Sequence, residues 1–255
     1  MKKLLTLDIG NTETVLGLFE GETLTFNRRF SSVKERTTDE FFVLLSKVFA
    51  AEDIKAGDIK GAIICSVVPP VDKVIREALS RFLGKDVYFV GEDIVPSMPI
   101  ITDNPEEVGS DRIVNAVAAH DLFKDAVIIV DFGTAITVDL VTKKGEYAGG
   151  AIAPGAGISA EALFTRTSLL PRVELKRPAH VLGTNTIEAI QSGIYYGFSG
   201  LVDGIITGIV KEFGQRPPVM ATGGVSAAFK GGSRFITHMD EFLTLKGLNL
   251  IYEGR

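Results

Sequence analysis

The sequence predicts an α/β protein assembled from two copies of one plan, each lobe a mixed sheet flanked by helices. Three observations carry this expectation. A short apolar strand ending in Asp-x-Gly occurs twice, as Leu4–Leu7 before Asp8-Ile-Gly-Asn-Thr12 and as Ala126–Val130 before Asp131-Phe-Gly-Thr134. Each copy is followed by two further strand patterns and then a helix pattern. Hydrophobic residues at 45% and charged residues at 23% make the mix of a packed globule, and 255 residues suffice for two ordinary domains. Because an internal repeat fixes architecture before any single element does, the expected lobes are residues 1–115 and 116–255.

In the first lobe, Thr14–Phe19 and Thr23–Phe30 read as strands joined by the turn Glu20-Gly-Glu22. Residues Thr38–Ala51 read as a helix capped by Thr38 or Asp39, with Phe41, Phe42, Leu45, Val48 and Phe49 at helical spacing. Gly61–Val68 is a continuous buried strand stopped by Pro69-Pro70, Val71–Leu83 a helix and Asp86–Val90 a strand. The second lobe repeats this with strands at Ala135–Val141 and Glu146–Ile152 and a helix at Ile158–Thr165. A long helical region broken by glycines, Thr186–Phe213, leads to the strand Val219–Ala221 and the turn Thr222-Gly-Gly224.

Several function classes are disfavoured at once. The net charge of −5 and the lack of a basic run argue against a nucleic-acid backbone binder. The single cysteine, Cys65, cannot form an internal disulfide and lies in the apolar run Ala62–Val68, where a reduced core thiol is expected. The N-terminal apolar stretch meets Asp8 too early for a signal-peptide core, and no apolar run approaches the ~20 residues of a bilayer span. A cytoplasmic protein without membrane partners is therefore expected. His120, His180 and His238 have no metal-ligand spacing. Neither a G-x-x-x-x-G-K-[ST] loop nor a G-x-G-x-x-G after a strand occurs.

The Asp-x-Gly turns suit a nucleotide phosphate by a different device. An aspartate ending a buried strand is costly unless it meets water, a metal or a strong donor. The glycine two positions on lets backbone approach a phosphate, and the hydroxyls of Thr12 and Thr134 with the amide of Asn11 can donate to its oxygens. With the lobes facing one another, the two hairpins would converge on one anion, their carboxylates holding cations rather than touching phosphate. A lone copy is equally a capped strand turn; the pairing is what favours phosphate. Thr222-Gly223-Gly224 could lie flat against a purine, a weak signal by itself.

At the lobe junction stands Asn104-Pro-Glu-Glu-Val-Gly-Ser-Asp-Arg-Ile-Val-Asn-Ala116, with Asp111-Arg112 opening a helix. An acid in a first helical turn is ordinary capping chemistry worth ~0.5–1 kcal/mol. The adjacent arginine gains nothing from such a cap, and together they offer a base for a hydroxyl and a cation for an anionic group. Phosphoryl transfer asks for little more than this and charge neutralisation.

These segments resemble the type III pantothenate kinase family. The likeness rests on Asp8-Ile-Gly-Asn-Thr12, Asn104-Pro-x-x-Val-Gly-x-Asp-Arg-Ile-Val-Asn-Ala116, Val130-Asp-Phe-Gly-Thr-Ala135, Gly149-Gly-x-Ile-x-Pro-Gly155, Asn185-Thr186 and Phe242-Leu-Thr-Leu-Lys-Gly-Leu248. It implies duplicated actin/hexokinase-like (ribonuclease H-like) lobes and ATP-dependent phosphorylation of pantothenate to 4′-phosphopantothenate, the first step of coenzyme A biosynthesis. It further implies that Asp8, Ile9, Gly10, Asn11, Thr12, Glu13, Thr14 and Val15 form the first ATP loop, with Asp8 helping to place Mg²⁺ through water. By the likeness Thr134 contacts ATP, and with Gly133 and the glycine pair Gly223 and Gly224 read above it would complete the ATP site. By the same likeness Asp111 is the proton acceptor, Gly109, Ser110, Arg112, Thr102 and Thr186 line the pantothenate pocket, and Asp131 holds a monovalent cation, K⁺ or NH₄⁺. The family is dimeric, and the glycine-spaced stretch Ile187–Ile209 could meet a partner helix or its own lobe.

Two positions depart from the family pattern. Gly-Ser-Asp-Arg stands where Gly-Ala-Asp-Arg is usual, and Thr102 stands nine residues before Asp111 where a tyrosine is usual. The second removes an aromatic wall from the expected substrate pocket. The family has also been called Bvg accessory factor, so the alternatives are an actin-like nucleotide-binding regulator without transfer activity, or a kinase of another small hydroxyl substrate.

Overall fold

Apolar runs ending in aspartate become the middle strands of two separate sheets in the computed structural model, which describes residues 2–254. The chain divides into two compact units, one comprising the chain up to Ser97, Glu106–Ala118 and the chain from Thr244 onward, the other Met98–Pro105 with Ala119–Leu243.

In the first unit the strands are β1 (Lys3–Ile9), β2 (Glu13–Glu20), β3 (Thr23–Ser31), β4 (Ile59–Ser66) and β5 (Val87–Phe89), in the order β3-β2-β1-β4-β5. β1 pairs antiparallel with β2 and parallel with β4, with Asp8 opposite Val15 on one side and Cys65 on the other. Alternation along β1 sends Leu5, Leu7 and Ile9 into a core shared with the helices α1 (Thr38–Ala51) and α2 (Pro69–Leu83), and so turns Asp8 to the other face. Each such fully buried aliphatic or aromatic side chain stabilises by roughly 1.5–3 kcal/mol.

The helix ends follow local chemistry. α1 is capped by Thr37, not by Thr38 or Asp39 as expected from the sequence. Thr37 has extended backbone, its hydroxyl accepts from the Glu40 amide at 3.3 Å, and the Glu40 carboxylate accepts from the Thr37 amide at 2.8 Å. That reciprocal box needs an acid three residues after the cap, which neither Thr38 nor Asp39 has. Pro69-Pro70 not only stops β4 but opens α2, where a missing amide costs nothing.

The other face of this sheet is covered from far along the chain. Helix α6 (Leu243–Glu253) buries Leu245 and Leu248, its Asn249 side chain donates to the Gly21 carbonyl at 3.0 Å, and Tyr252 packs edge-on against Tyr88. Thr244 donates to the buried side chain of Asn115, on helix α3 (Ser110–Phe123), at 2.8 Å.

The second unit repeats the plan with β6 (Val127–Phe132), β7 (Ala135–Val141), β8 (Tyr147–Pro154), β9 (Val219–Thr222) and β10 (Ile236–Met239). Written from the hairpin side its order is β8-β7-β6-β9-β10, the same as the first sheet, again with antiparallel hairpins and parallel β6–β9 and β9–β10 pairs. Its core joins Ile128, Val130, Phe132, Ile136, Val138, Val219 and Ala221 to the helices α4 (Ala156–Arg166) and α5 (Thr186–Phe213).

α5 is one unbroken helix of 28 residues, where the sequence suggested interruption at its glycines. Glycine costs about 1 kcal/mol each in a helix but keeps its backbone hydrogen bonds, and the face carrying Ile190, Ile194, Tyr195, Val202 and Ile206 is anchored in the core. Asn185 caps its start and Gly214, at φ 74°, ends it. Among the described residues α5 is long and apolar enough to cross a membrane by length and composition; one face of it packs in the core of the second unit.

Candidate active site

The first Asp-x-Gly loop closes in a way that repeats in the second. Gly10 donates its amide to the Glu13 carbonyl at 3.0 Å, and Gly133 donates to the Ala135 carbonyl at 3.1 Å. Between strands the first loop has three residues, Gly10, Asn11 and Thr12, and the second has two, Gly133 and Thr134. Thr12 and Thr134 thus occupy matching places just before the returning strand, and Asn11 is an insertion.

Within the first unit, the Gly109-Ser110-Asp111-Arg112 segment is brought to the carboxyl ends of β1 and β4. Ser110 Oγ lies 3.2 Å from Cys65 Sγ and donates to the Ser66 carbonyl at 3.1 Å. Cys65 is itself the register partner of Asp8. The thiol is buried and its pKa is pushed well up by burial, with the Asp8 and Asp111 carboxylates adding to the shift. It is therefore a neutral thiol, as the sequence reading expected of a core cysteine, and both carboxylates lie within electrostatic reach of it. Sequence reasoning gave Cys65 no part in the site; the structure makes it the floor on which Ser110 rests.

Asp111 is held in place by its surroundings. Its Oδ1 accepts from the Arg112 amide at 2.8 Å. A Cβ at Gly109 would stand 2.6 Å from that same oxygen, so only glycine leaves room for the carboxylate in this pose. Nearby, Ser66 donates to Asp72 in the first turn of α2, and Ser66 Oγ accepts from the Val68 amide at 3.1 Å. Burial pushes the Asp72 carboxyl up, opposed by that hydroxyl.

In the second unit the Asp131–Thr134 loop meets the Thr222-Gly223-Gly224 turn. Asp131 and Thr222 are register partners across β6 and β9. Gly223 has φ 96°, and a Cβ there would lie 2.4 Å from Asp131 Oδ1 and 2.6 Å from the Phe132 carbonyl carbon and oxygen. The glycine of the Pro154-Gly155 dipeptide donates to the Thr134 carbonyl at 3.1 Å and so braces the second loop. Elsewhere in this unit Thr102 stands beside Gly149 with its Oγ1 buried and without a hydrogen-bond partner among the described residues. Thr186, the first residue of α5, lines a cavity of about 570 Å³ with Asn185, Leu163, Leu170, Ile190 and Ile194.

Among the described residues no group of three or more His, Cys, Asp or Glu side chains gathers to hold a metal.

Two sheets of identical strand order, each ending its middle strand in an Asp-x-Gly loop, define the duplicated actin/hexokinase-like fold class. Solved structures share that fold at low identity. The (R)-2-hydroxyglutaryl-CoA dehydratase component A of Acidaminococcus fermentans aligns with TM-score 0.59 at 12% identity, covering 99% of this chain and 97% of that one. The inorganic polyphosphate/ATP-glucomannokinase of an Arthrobacter strain aligns with TM-score 0.54 at 14% identity over 100% of both chains. The sequence is more specific. The pattern of the type III pantothenate kinases matches residues 4–208, and the type III pantothenate kinase of Koribacter versatilis is 48% identical, covering 98% of this chain and 95% of that one. The chain belongs to the type III pantothenate kinase family: it uses ATP to phosphorylate pantothenate, in coenzyme A biosynthesis.

Proposed function

We propose that Asp111 is the general base of this reaction and that the product is 4′-phosphopantothenate. The carboxylate accepts the proton of the pantothenate hydroxyl while that oxygen bonds to the γ-phosphorus of ATP and the bond from that phosphorus to the ADP oxygen breaks. The observation that carries this reading is the Ser110 clamp on Cys65 and Ser66, which fixes the Asp111 segment where the Asp8 strand ends. Asp8 to Val15 bind ATP phosphates through backbone amides and the Thr12 hydroxyl, and Asp8 orients a Mg²⁺ ion through water. Gly133 and Thr134 bind phosphate, and Gly223 and Gly224 give the purine a flat seat. Gly109, Ser110, Arg112, Thr102 and Thr186 bind pantothenate, Arg112 pairing with the substrate carboxylate.

Asp131 holds K⁺ or NH₄⁺. The hydroxyl of its strand neighbour Thr222, without a hydrogen-bond partner among the described residues, and the close approach of Asp131 Oδ1 to Gly223 that only glycine permits support that fit. Bound cations offset charge on the transferring phosphoryl group; the protein's share is to aim single carboxylates at them. We further propose a cytoplasmic homodimer formed on the exposed face of α5, where Gly193, Gly197, Gly200, Gly204 and Gly208 make one row with open space beside it.

The test is Asp111→Asn, followed by mass-spectrometric detection of phosphopantothenate from pantothenate, Mg-ATP and K⁺. ATP binding is expected to persist while turnover falls by about 10²-fold or more. Unchanged turnover would remove Asp111 from its role.

A further inference from the structure

The carboxylate of Asp131 has an oxygen-bearing strand neighbour on each side, whereas Asp8 has none. Asp131 is paired with Thr137 of β7 and Thr222 of β9; Asp8 is paired with Val15 of β2 and Cys65 of β4. Register partners on adjacent strands project to the same face, with Cβ atoms only ~5 Å apart. Here that face is opposite the core, which takes Val130, Phe132 and Ala221 from the alternate positions.

Thr222 is 1% exposed, yet its Oγ1 has no hydrogen-bond partner among the described residues. A buried hydroxyl in that condition marks a place where something polar is meant to meet it. Thr137 differs: its hydroxyl donates to Asp139 at 2.9 Å, and the buried Asp139 carboxylate also accepts from the Tyr147 hydroxyl at 2.6 Å. The Thr137 proton is thereby committed, and its oxygen keeps its lone pairs for another partner. The Asp131 carboxylate itself leans over the Thr222–Gly223 peptide, where a Cβ on Gly223 would lie 2.4 Å from its Oδ1. One carboxylate with neutral hydroxyl oxygens beside it is a donor set for a hard cation of low charge.

We propose that the Thr222 hydroxyl is a second protein ligand of the monovalent cation assigned to Asp131. The proposal rests on the cation reading of Asp131 made above, and its test separates the two. Wild type, Asp131→Asn, Thr222→Val and Thr222→Ser are compared by two readouts at constant ionic strength, potassium replacing sodium. One is the initial rate against potassium concentration; the other is the thermal unfolding midpoint against potassium concentration with Mg-ADP present.

Thr222→Val is expected to raise the half-saturating potassium concentration by about tenfold or more, with the lost rate recovered as potassium is raised. In sodium its unfolding midpoint stays at or above that of wild type, because valine fills the same volume without an orphan hydroxyl. Thr222→Ser restores the potassium response. A Thr222→Val protein that titrates with potassium like wild type overturns the proposal while leaving Asp131 in place, provided Asp131→Asn loses the response. A lowered midpoint in sodium with an unchanged potassium titration makes the hydroxyl structural and overturns it too. If wild type responds to potassium in neither readout, the cation reading of Asp131 falls and this ligand falls with it.

Discussion

The two Asp-x-Gly loops are copies of one device that have diverged in their neighbours rather than in their backbone. Both close with a glycine amide bonded to the returning strand. Around Asp8, however, the strand partners are an apolar valine and a thiol kept neutral by burial, with Ser110 seated on that thiol. Around Asp131 they are two hydroxyls. On the roles proposed above, a soft, neutral floor suits a loop that would hold amides to phosphate and seat a base, while hard oxygens suit one that would grip a cation. The two copies share one scaffold and differ at both strand partners of the aspartate, Val15 and Cys65 in the first, Thr137 and Thr222 in the second.

The largest effect that would sharpen this comparison comes from the aspartates. Asp8→Asn is expected to lower kcat by about 10²–10³-fold, the usual loss when a group that stabilises developing charge is removed, with no recovery at high potassium. Asp131→Asn is expected to cost about tenfold to a hundredfold, the worth of one charge-assisted contact, and to abolish the difference between sodium and potassium buffers. Rate measurements across both salts decide it; identical salt profiles for the two variants would break the distinction.

Next in size are the loop glycines. Gly223→Ala places a side chain at φ 96° and within 2.6 Å of Phe132 backbone atoms, so chemical denaturation should register a loss of roughly 1–3 kcal/mol or more. Gly10→Ala meets only the Glu13 carbonyl at 3.1 Å and should cost about 1 kcal/mol or less. Equal losses would mean that the Thr222-Gly223-Gly224 turn against Asp131 is no more tightly held than the first loop.

The smallest effect tests the carboxylate beside the first loop. Because burial raises the Asp72 pKa in the folded state, its charged form disfavours folding above that pKa, and the penalty fades as pH falls through it towards the ordinary carboxylate range. Asp72→Asn should therefore be more stable than wild type near pH 7, by less than about 1 kcal/mol for a half-exposed group. That advantage should shrink on acidification. Urea melts at several pH values would detect a gain that instead grows with acid, which would reverse the assignment.

Much of this was legible in the sequence because the repeat is carried by residues that cannot be exchanged freely. Aspartate at a strand end and glycine two places on announced both loops, and period-two and helical spacing gave the strands of both hairpins and the helices α1, α2 and α5. What escaped depends on contacts distant in sequence. The Thr37 cap needed Glu40 to be recognised as its partner. Nothing local in Cys65 foretells Ser110, 45 residues away. Strand β10 is short and mostly exposed, without the apolar run that marks the others. The Thr222 hydroxyl looked like part of a glycine turn until its register with Asp131 was known.

Helix α6 carries a consequence for biogenesis. Although residues 3–89 supply every strand of the first sheet, one face of that sheet stays wet until residues 245–252 arrive with Leu245, Leu248 and Asn249. A nascent chain emerging from the ribosome therefore cannot finish its first unit before its second, against the usual order of N-terminal domains first. The loop carrying Asp8 is translated long before the helix that seals its sheet, with the whole second unit made in between.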